Sequence, residues 1–276
     1  MAITTVAGIS SGLLQPTIIY KNSNATSNLG SIEFITSWYG TGYPPPATAY
    51  TGGLTGQAIT TQPAAAIPFP VPPAGQNSYI ARVNRLGSNR GTPTNTMLID
   101  RMWENSGLDR TLTTAQTFSS AAWPARDLDQ STNGRGVYIA LEVSTSVTGG
   151  TTAPGISISY TNSAGVSGRT GTVFASRLNP PQGQFIPIPL NAGDVGVRSI
   201  QSVTFSVSWG TAGVLHLVAY RPIVVCTNNS NSQRFTLEDA VSMAMPRLFD
   251  NTVLQTVTMA FAGTDVGQAE VQITQG

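Results

Sequence analysis

VRSIQSVTFSVSWGTAGVLHLVAYRPIVVC, residues 197–226, decides the fold. In its first half Val203, Phe205, Val207 and Trp209 fall on one face, and Ser202, Thr204, Ser206 and Ser208 on the other. That period of two marks a strand with one face buried. Gly210-Thr-Ala-Gly213 supplies turn residues, since glycine takes positive φ without steric cost. From Val214 to Tyr220 the chain is apolar on both faces apart from His216, and such a strand needs cover on both sides. The stretch predicts a long hairpin at the centre of a β-rich domain. One of its strands lies under a second layer, supplied by the same chain or by a neighbouring subunit.

Working outward, residues 136–144 (GVYIALEVS) alternate Val137, Ile139, Leu141 and Val143 with Tyr138, Ala140 and Glu142. Residues 155–160, 170–176 and 184–190 read as further strands, as do 253–261 and 269–274 near the end. Gly- and Asn-rich turns at this spacing argue for an antiparallel sandwich. Earlier in the chain, residues 16–20 and 77–86 are strand candidates, 22–30 read as a Ser/Asn loop, and 31–39 is ambiguous between helix and strand. One helix is predicted after the cap Thr236-Leu-Glu-Asp239, with Leu237, Val241 and Ala244 on one face and Pro246 ending it. The expectation is an all-β fold: an antiparallel β-sandwich, jelly-roll-like, with one short helix near the C-terminus and an extended N-terminal arm. It divides into an arm and Pro/Gly-rich extended region at 1–96 and a sandwich domain at 97–276.

Residues 40–75 differ in composition. They hold Pro44-Pro-Pro46, Gly52-Gly53, Ala64-Ala-Ala66 and a PFPVPP run at 68–73, with no charged residue. Proline at that density favours extended chain and is kept out of sheet interiors. Long loops inside compact domains are uncommon, so this segment predicts an arm draped over a neighbour, anchored by Tyr43, Tyr50, Ile67, Phe69 and Val71.

Charged residues make up 10% of the chain, against about 25% in ordinary globular proteins. The net charge of +1 gives no electrostatic basis for binding nucleic acid or an anionic membrane. Thirteen of the basic residues are Arg and one is Lys, Lys21. Arg suits buried interfaces better than Lys, and a surface this poor in charge is sticky when left bare. Self-association follows as an expectation. The single cysteine, Cys226, ends an apolar strand and is read as a small buried hydrophobe. No run approaches the ~18–20 apolar residues that span a bilayer. The first residues lack the basic region of a secretory signal, so synthesis in a cytoplasm without conventional export is expected.

Motifs for chemistry are scarce. His216 is the only histidine and sits inside a strand, the setting of a satisfied core residue. One His and one Cys fall short of a zinc site. Asp127-Leu-Asp129-Gln-Ser131 begins like a calcium loop, yet Thr132 stands where glycine is needed and Tyr138 where glutamate is needed. Asp100 with Glu104, and Asp127 with Asp129, are carboxylate pairs without an active-site context. No phosphate-binding loop, nucleophile elbow or dinucleotide fingerprint is present. No catalytic residue, metal or cofactor is expected, and the chain is read as not an enzyme. Arg101 and Trp103 lie close together, as do Trp123 and Arg126. Trp and Arg are the residue types that anchor interfaces. These four, with Tyr43 and Phe69, are the interface candidates; ordinary core is the alternative for both tryptophans.

LIDRMWENSGLDRTLTTAQTFSSAAWPARD (98–127), SYTNSAGVSGRTGT (159–172), AGDVGVRSIQSVTFS (192–206), LHLVAYRPI (215–223) and MPRLFDNTVL (245–254) resemble a family of virion structural proteins of tailed bacteriophages. The resemblance runs from about residue 31 to the end and includes Ser37–Tyr39. It implies a particle component, foremost a capsid decoration or cement protein on the capsid exterior. Together with the low charge, the Arg bias, the proline-rich segment and the two-sided apolar strand, it leads to the expectation of two partners: the major capsid protein, and further copies of the chain in a homo-oligomer, a trimer. It supplies no catalytic residue. Another virion part, such as a head fibre base or tail component, and a carbohydrate-binding adhesin are the alternatives.

Overall fold

The computed structural model describes residues 3, 5–27, 33–86, 95–227, 235–260 and 263–276. In chain order the elements are α1 (Val6–Ser11), β1 (Thr17–Ser27), β2 (Glu33–Thr36), β3 (Thr41–Tyr43), β4 (Gln57–Ala58), β5 (Ser78–Leu86) and β6 (Asn95–Glu104). There follow β7 (Gln116–Thr117), β8 (Tyr138–Thr148), β9 (Gly155–Asn162), β10 (Arg169–Phe174), β11 (Gln184–Ile188) and β12 (Val197–Phe205). The last are β13 (Ala212–Cys226), β14 (Phe235–Asp239), β15 (Arg247–Leu248), β16 (Leu254–Ala260) and β17 (Gly263–Gln275). Among the described residues every strand pairing is antiparallel.

The middle layer is closed. Its strands run β13-β8-β11-β2-β16-β6, and β13 also pairs with β6, so the six form a barrel with β4 attached outside β6. On one side lies the sheet β10-β9-β12-β7, and on the other the sheet β14-β5-β17-β1-β3 with β15 joined to β5. The first side buries Ile156, Ile158, Val203 and Phe205 against Ile139, Leu141, Leu215 and Leu217 of the barrel wall. The second buries Ile19, Ile80, Val83 and Val271 against Leu98, Val224, Cys226 and Leu254. The fold is thus all-β and sandwich-like, with a barrel as its middle layer.

β13 is covered on both sides, as its sequence demands, and it changes cover along its length. Leu215, Leu217 and Ala219 face the β9–β12 layer, while Val218 and Tyr220 point into the barrel. An irregularity between Pro222 and Val224 in the pairing with β6 adds one residue. That reverses the parity, so Val224 and Cys226 turn outward under the β5–β17 sheet.

The predicted hairpin is not one. β12 pairs with β9 and β7, whereas β13 pairs with β8 and β6. Residues 206–211 carry the chain from the outer sheet into the barrel. Trp209 holds this crossing: it is fully buried, packs edge-on to Phe205 at 6.2 Å, and its Nε1–H donates to Leu178 O at 2.9 Å.

The predicted C-terminal helix is also replaced. Residues 235–239 form β14 on the edge of β5, followed by a single turn. The Asp239 carboxylate accepts from Val241 N and Ser242 N, both at 3.0 Å, and Ala244 and Met245 reverse the chain at φ 53 and 47. Leu237 is 52% and Val241 87% exposed, so the supposed apolar face has nothing to bury against. The helix lies instead at Val6–Ser11, where the Thr5 side chain accepts from Gly8 N. Residues 22–27, read as loop, continue β1, while 28–30 lie outside the described residues.

The proline-rich segment is extended, as its composition predicts, but it lies on its own chain. Ile59 N donates to Met102 O, and Ile67 N to Leu254 O, each at 2.9 Å. Ile67 and Phe69 are buried in the core beneath the β5–β17 sheet. Ile59, Ala65 and Ala66 pack with Trp38, Tyr39 and Val253. Tyr43 and Val71 stay 51% and 64% exposed.

Candidate functional site

Alternation along the barrel strands sends every second residue inward. One part of the interior is apolar, built from Ile99, Ala140, Phe185, Val218, Tyr220 and Val257. The other is charged. Arg101, with no exposure, donates to Glu142 Oε1 at 3.0 Å and Oε2 at 2.7 Å. Its Nε and Nη2 also reach Glu104 Oε2 at 3.2 and 2.8 Å, and Nη1 reaches Gln255 Oε1 at 3.4 Å. The guanidinium stacks 4.7 Å from the Trp38 ring centroid. Tyr39 Oη–H donates to Glu142 Oε2 at 3.2 Å, and burial beside that carboxylate pushes the phenol well above its ordinary value. Gln255 Nε2 donates to Thr36 Oγ1 at 2.5 Å.

A Ser–His pair lies in the same interior. His216 Nδ1 is 2.5 Å from Asn105 O, and Nε2 is 2.6 Å from Ser144 Oγ. A carbonyl only accepts, so Nδ1 carries the proton and Nε2 accepts from the hydroxyl. Burial pushes the imidazole below its ordinary value, which keeps this neutral tautomer. The spacing matches a nucleophile and its base. His216 has no exposure and Ser144 has 3%, so a substrate reaches neither without opening the barrel wall.

A second network lies outside the same strand. Asp100 accepts from Arg126 Nε and Nη2, both at 3.0 Å, and from Val253 N at 2.9 Å. Arg221 Nη2 stands 3.8 Å away. Burial pushes the Asp100 carboxyl up, and Arg126 opposes it. Arg126 Nη1 further donates to Ile59 O at 2.9 Å, fastening the proline-rich segment to the barrel.

The six interface candidates separate clearly. Arg101, Trp103, Trp123, Arg126 and Phe69 are at most 8% exposed, so the chain's own atoms cover them and they offer no surface to a partner. Trp103 and Trp123 meet edge-on at 5.3 Å in the core, and their Nε1–H groups donate to Thr55 O and Val197 O. Tyr43 alone is exposed, beside Tyr20 on the edge strand β3. The carboxylate pairs do not act together: Asp100 and Glu104 belong to different networks. Asp127 is saturated, accepting from the backbone N of Asp129, Ser131, Gly134 and Arg135 and from Ser131 Oγ. The loop that begins like a calcium site is folded around that carboxylate.

Two features escaped sequence reasoning. One is a cleft of about 480 Å³ where residues 46–50 and 57–65 meet the barrel end, with Trp38 and Glu104 in its wall. The other is the outer face of the β9–β12 sheet. Pairing sets Thr172, Ser157 and Thr204 in one row and Thr170, Ser159, Ser202 and Thr117 in the next. These rows carry hydroxyls and no charge. Phe174, 77% exposed, ends the edge strand β10 beside them.

No protein-family model matches the chain, and no curated protein matches it either. Among solved structures it is similar to infectious bursal disease virus VP2 in a subviral particle, at 10% identity over 96% of this chain and 80% of that one, with a TM-score of 0.21. It is similar also to T=1 particles derived from that virus, at 13% identity over 96% and 78% of the two chains, with a TM-score of 0.17. Scores this low do not establish a shared fold.

Proposed function

We propose that this chain is a structural component of a virus particle, acting as a capsid decoration or cement protein of a tailed phage. It associates with copies of itself, as a trimer, and with the major capsid protein on the capsid exterior. Its work is mechanical: it bridges neighbouring capsomers. It is not an enzyme.

The observation that carries this reading is the uncharged hydroxyl face of the β9–β12 sheet with its bare edge. β10 contains no proline, and its one charged residue, Arg169, is engaged by Asp194 at 2.9 Å; proline and charged side chains are what usually blunt an edge strand against pairing. A charge-free face of that extent is suited to being covered.

The test is direct. Purified protein is weighed by light scattering, and purified particles are analysed for the chain and imaged by cryo-microscopy. The reading expects a defined oligomer in solution and density for the chain on the shell. Thr172→Arg with Thr204→Arg, on an exposed and a half-buried site, is expected to reduce association while leaving the fold intact. A compact monomer absent from particles overturns the reading.

A further inference from the structure

Among the described residues, the cleft at the barrel end has one charged residue in its lining, Glu104. Otherwise it presents Thr60, Thr61, Gln57 and Tyr50, with proline, alanine and the Trp38 indole. Its volume of about 480 Å³ falls within the range of small-ligand sites.

The electrostatics behind Glu104 are unbalanced. A single guanidinium, Arg101, serves two carboxylates, Glu142 and Glu104. One positive and two negative formal charges leave one negative charge. The neighbouring network does not offset it, since Arg126 and Arg221 stand against Asp100 and Asp127. Glu142 is sealed inside the barrel, while the Glu104 side chain keeps 10% exposure at the cleft. The surplus charge therefore faces the opening.

Glu104 is also held still. Arg101 donates twice to Oε2, and Gln57 Nε2 donates once to Oε1 at 3.2 Å. A carboxylate offers about four acceptor sites, so three are taken and one, on Oε1, is left for a ligand. Anions are disfavoured there, because among the described residues no basic residue lines the cleft. A neutral hydroxyl would satisfy the lone pair but not the charge.

We propose that this cleft is a binding site for a guanidinium or ammonium group, received by Glu104 and flanked by the Thr60–Thr61 hydroxyls and the Trp38 and Tyr50 rings. The inference does not depend on the particle role. The cation belongs either to a free small molecule or to an arginine side chain of another copy.

Butylguanidine is the probe, and butylurea, a neutral molecule of the same shape, is its control, each titrated calorimetrically into the intact protein. Saturable butylguanidine binding is expected, with butylurea at least about tenfold weaker. Glu104→Gln removes the preference between the two. Thr61→Trp, at an exposed position on the rim, fills the cleft and abolishes binding without disturbing the barrel, which keeps the test decisive if the Glu104 variant fails to fold. No saturable binding, equal binding of butylurea, or unchanged binding in Thr61→Trp overturns the proposal. Light scattering with and without butylguanidine identifies the source. Loss of oligomer mass assigns the cation to a neighbouring copy, and unchanged mass assigns it to a free ligand. A chain that proves monomeric and absent from particles but still binds butylguanidine separates this site from the particle role.

Discussion

Arg101 and Glu142 stand 41 residues apart in sequence and meet inside the barrel through two hydrogen bonds, with neither side chain reaching solvent. β6 and β8 are not neighbours; each pairs with β13, and the ion pair spans the lumen beside it. The pair ties together the two barrel strands that flank β13.

Removing one partner strands the other. Glu142→Leu or Arg101→Met is expected to cost about 3–5 kcal/mol of stability, while the double variant costs less than the sum of the two. Urea unfolding of the three variants measures this. Additive losses would show that the two residues do not act as a unit.

The proline-rich segment is fixed to its own chain, so its buried anchor matters for stability. Phe69→Ala is expected to cost about 3–5 kcal/mol, whereas exposed Tyr43→Ala stays within about 0.5 kcal/mol. Thermal unfolding distinguishes them. An unchanged Tm for Phe69→Ala, with loss of oligomer mass, would place the segment on a neighbour instead.

His216 is held neutral in the fold, below the ordinary imidazole value of 6.5. On acidification through that value the unfolded chain takes up a proton that the native chain refuses. Unfolding then binds protons, and stability falls as pH drops below 6.5 towards the depressed native value. Unfolding midpoints measured between neutral pH and about pH 5.5 should decline in the wild type and decline less in His216→Gln. Equal slopes would dismiss this assignment.

Asp127 accepts from four backbone N–H groups and one hydroxyl. Asp127→Ala leaves those donors without their partner and is expected to cost about 3 kcal/mol or more. Added calcium should leave the Tm of the wild type unchanged. A calcium-dependent rise would reinstate the loop as a metal site.

Cys226 is buried at 1% exposure under the β5–β17 sheet. Its thiol should resist a maleimide reagent under native conditions and react once urea unfolds the chain. Rapid native labelling would mean that this layer opens locally.

The strands were legible because their alternation is local. β8, β9, β12 and β13 can be read from residues a few positions apart, and both-sided apolarity announced that β13 is covered twice. Pairing partners were not legible. A glycine-bearing link such as Gly210 to Gly213 serves a hairpin or a layer crossing equally well, and only Trp209 finding its pocket separates the two. Composition revealed that residues 40–75 are extended but not whose surface they follow. For the charged interior there was a signal. Glu142 shares its face with Tyr138 and Ala140, a face that looks solvent-directed in a sandwich and becomes the lumen once the sheet closes. The helix expected after Thr236 failed for a related reason: three apolar residues at helical spacing do not make a helix when nothing lies opposite to bury them.

Closure of the barrel also bears on when the molecule takes shape. β2 lies between β11 and β16, and β1 lies along β17, so strands near one end of the sequence wait for strands near the other. A ribosome delivers the first of these long before the last. Such distant pairings slow folding, and the early hydrophobic strands must be shielded in the interval. Any assembly of copies therefore waits until β17 has been made.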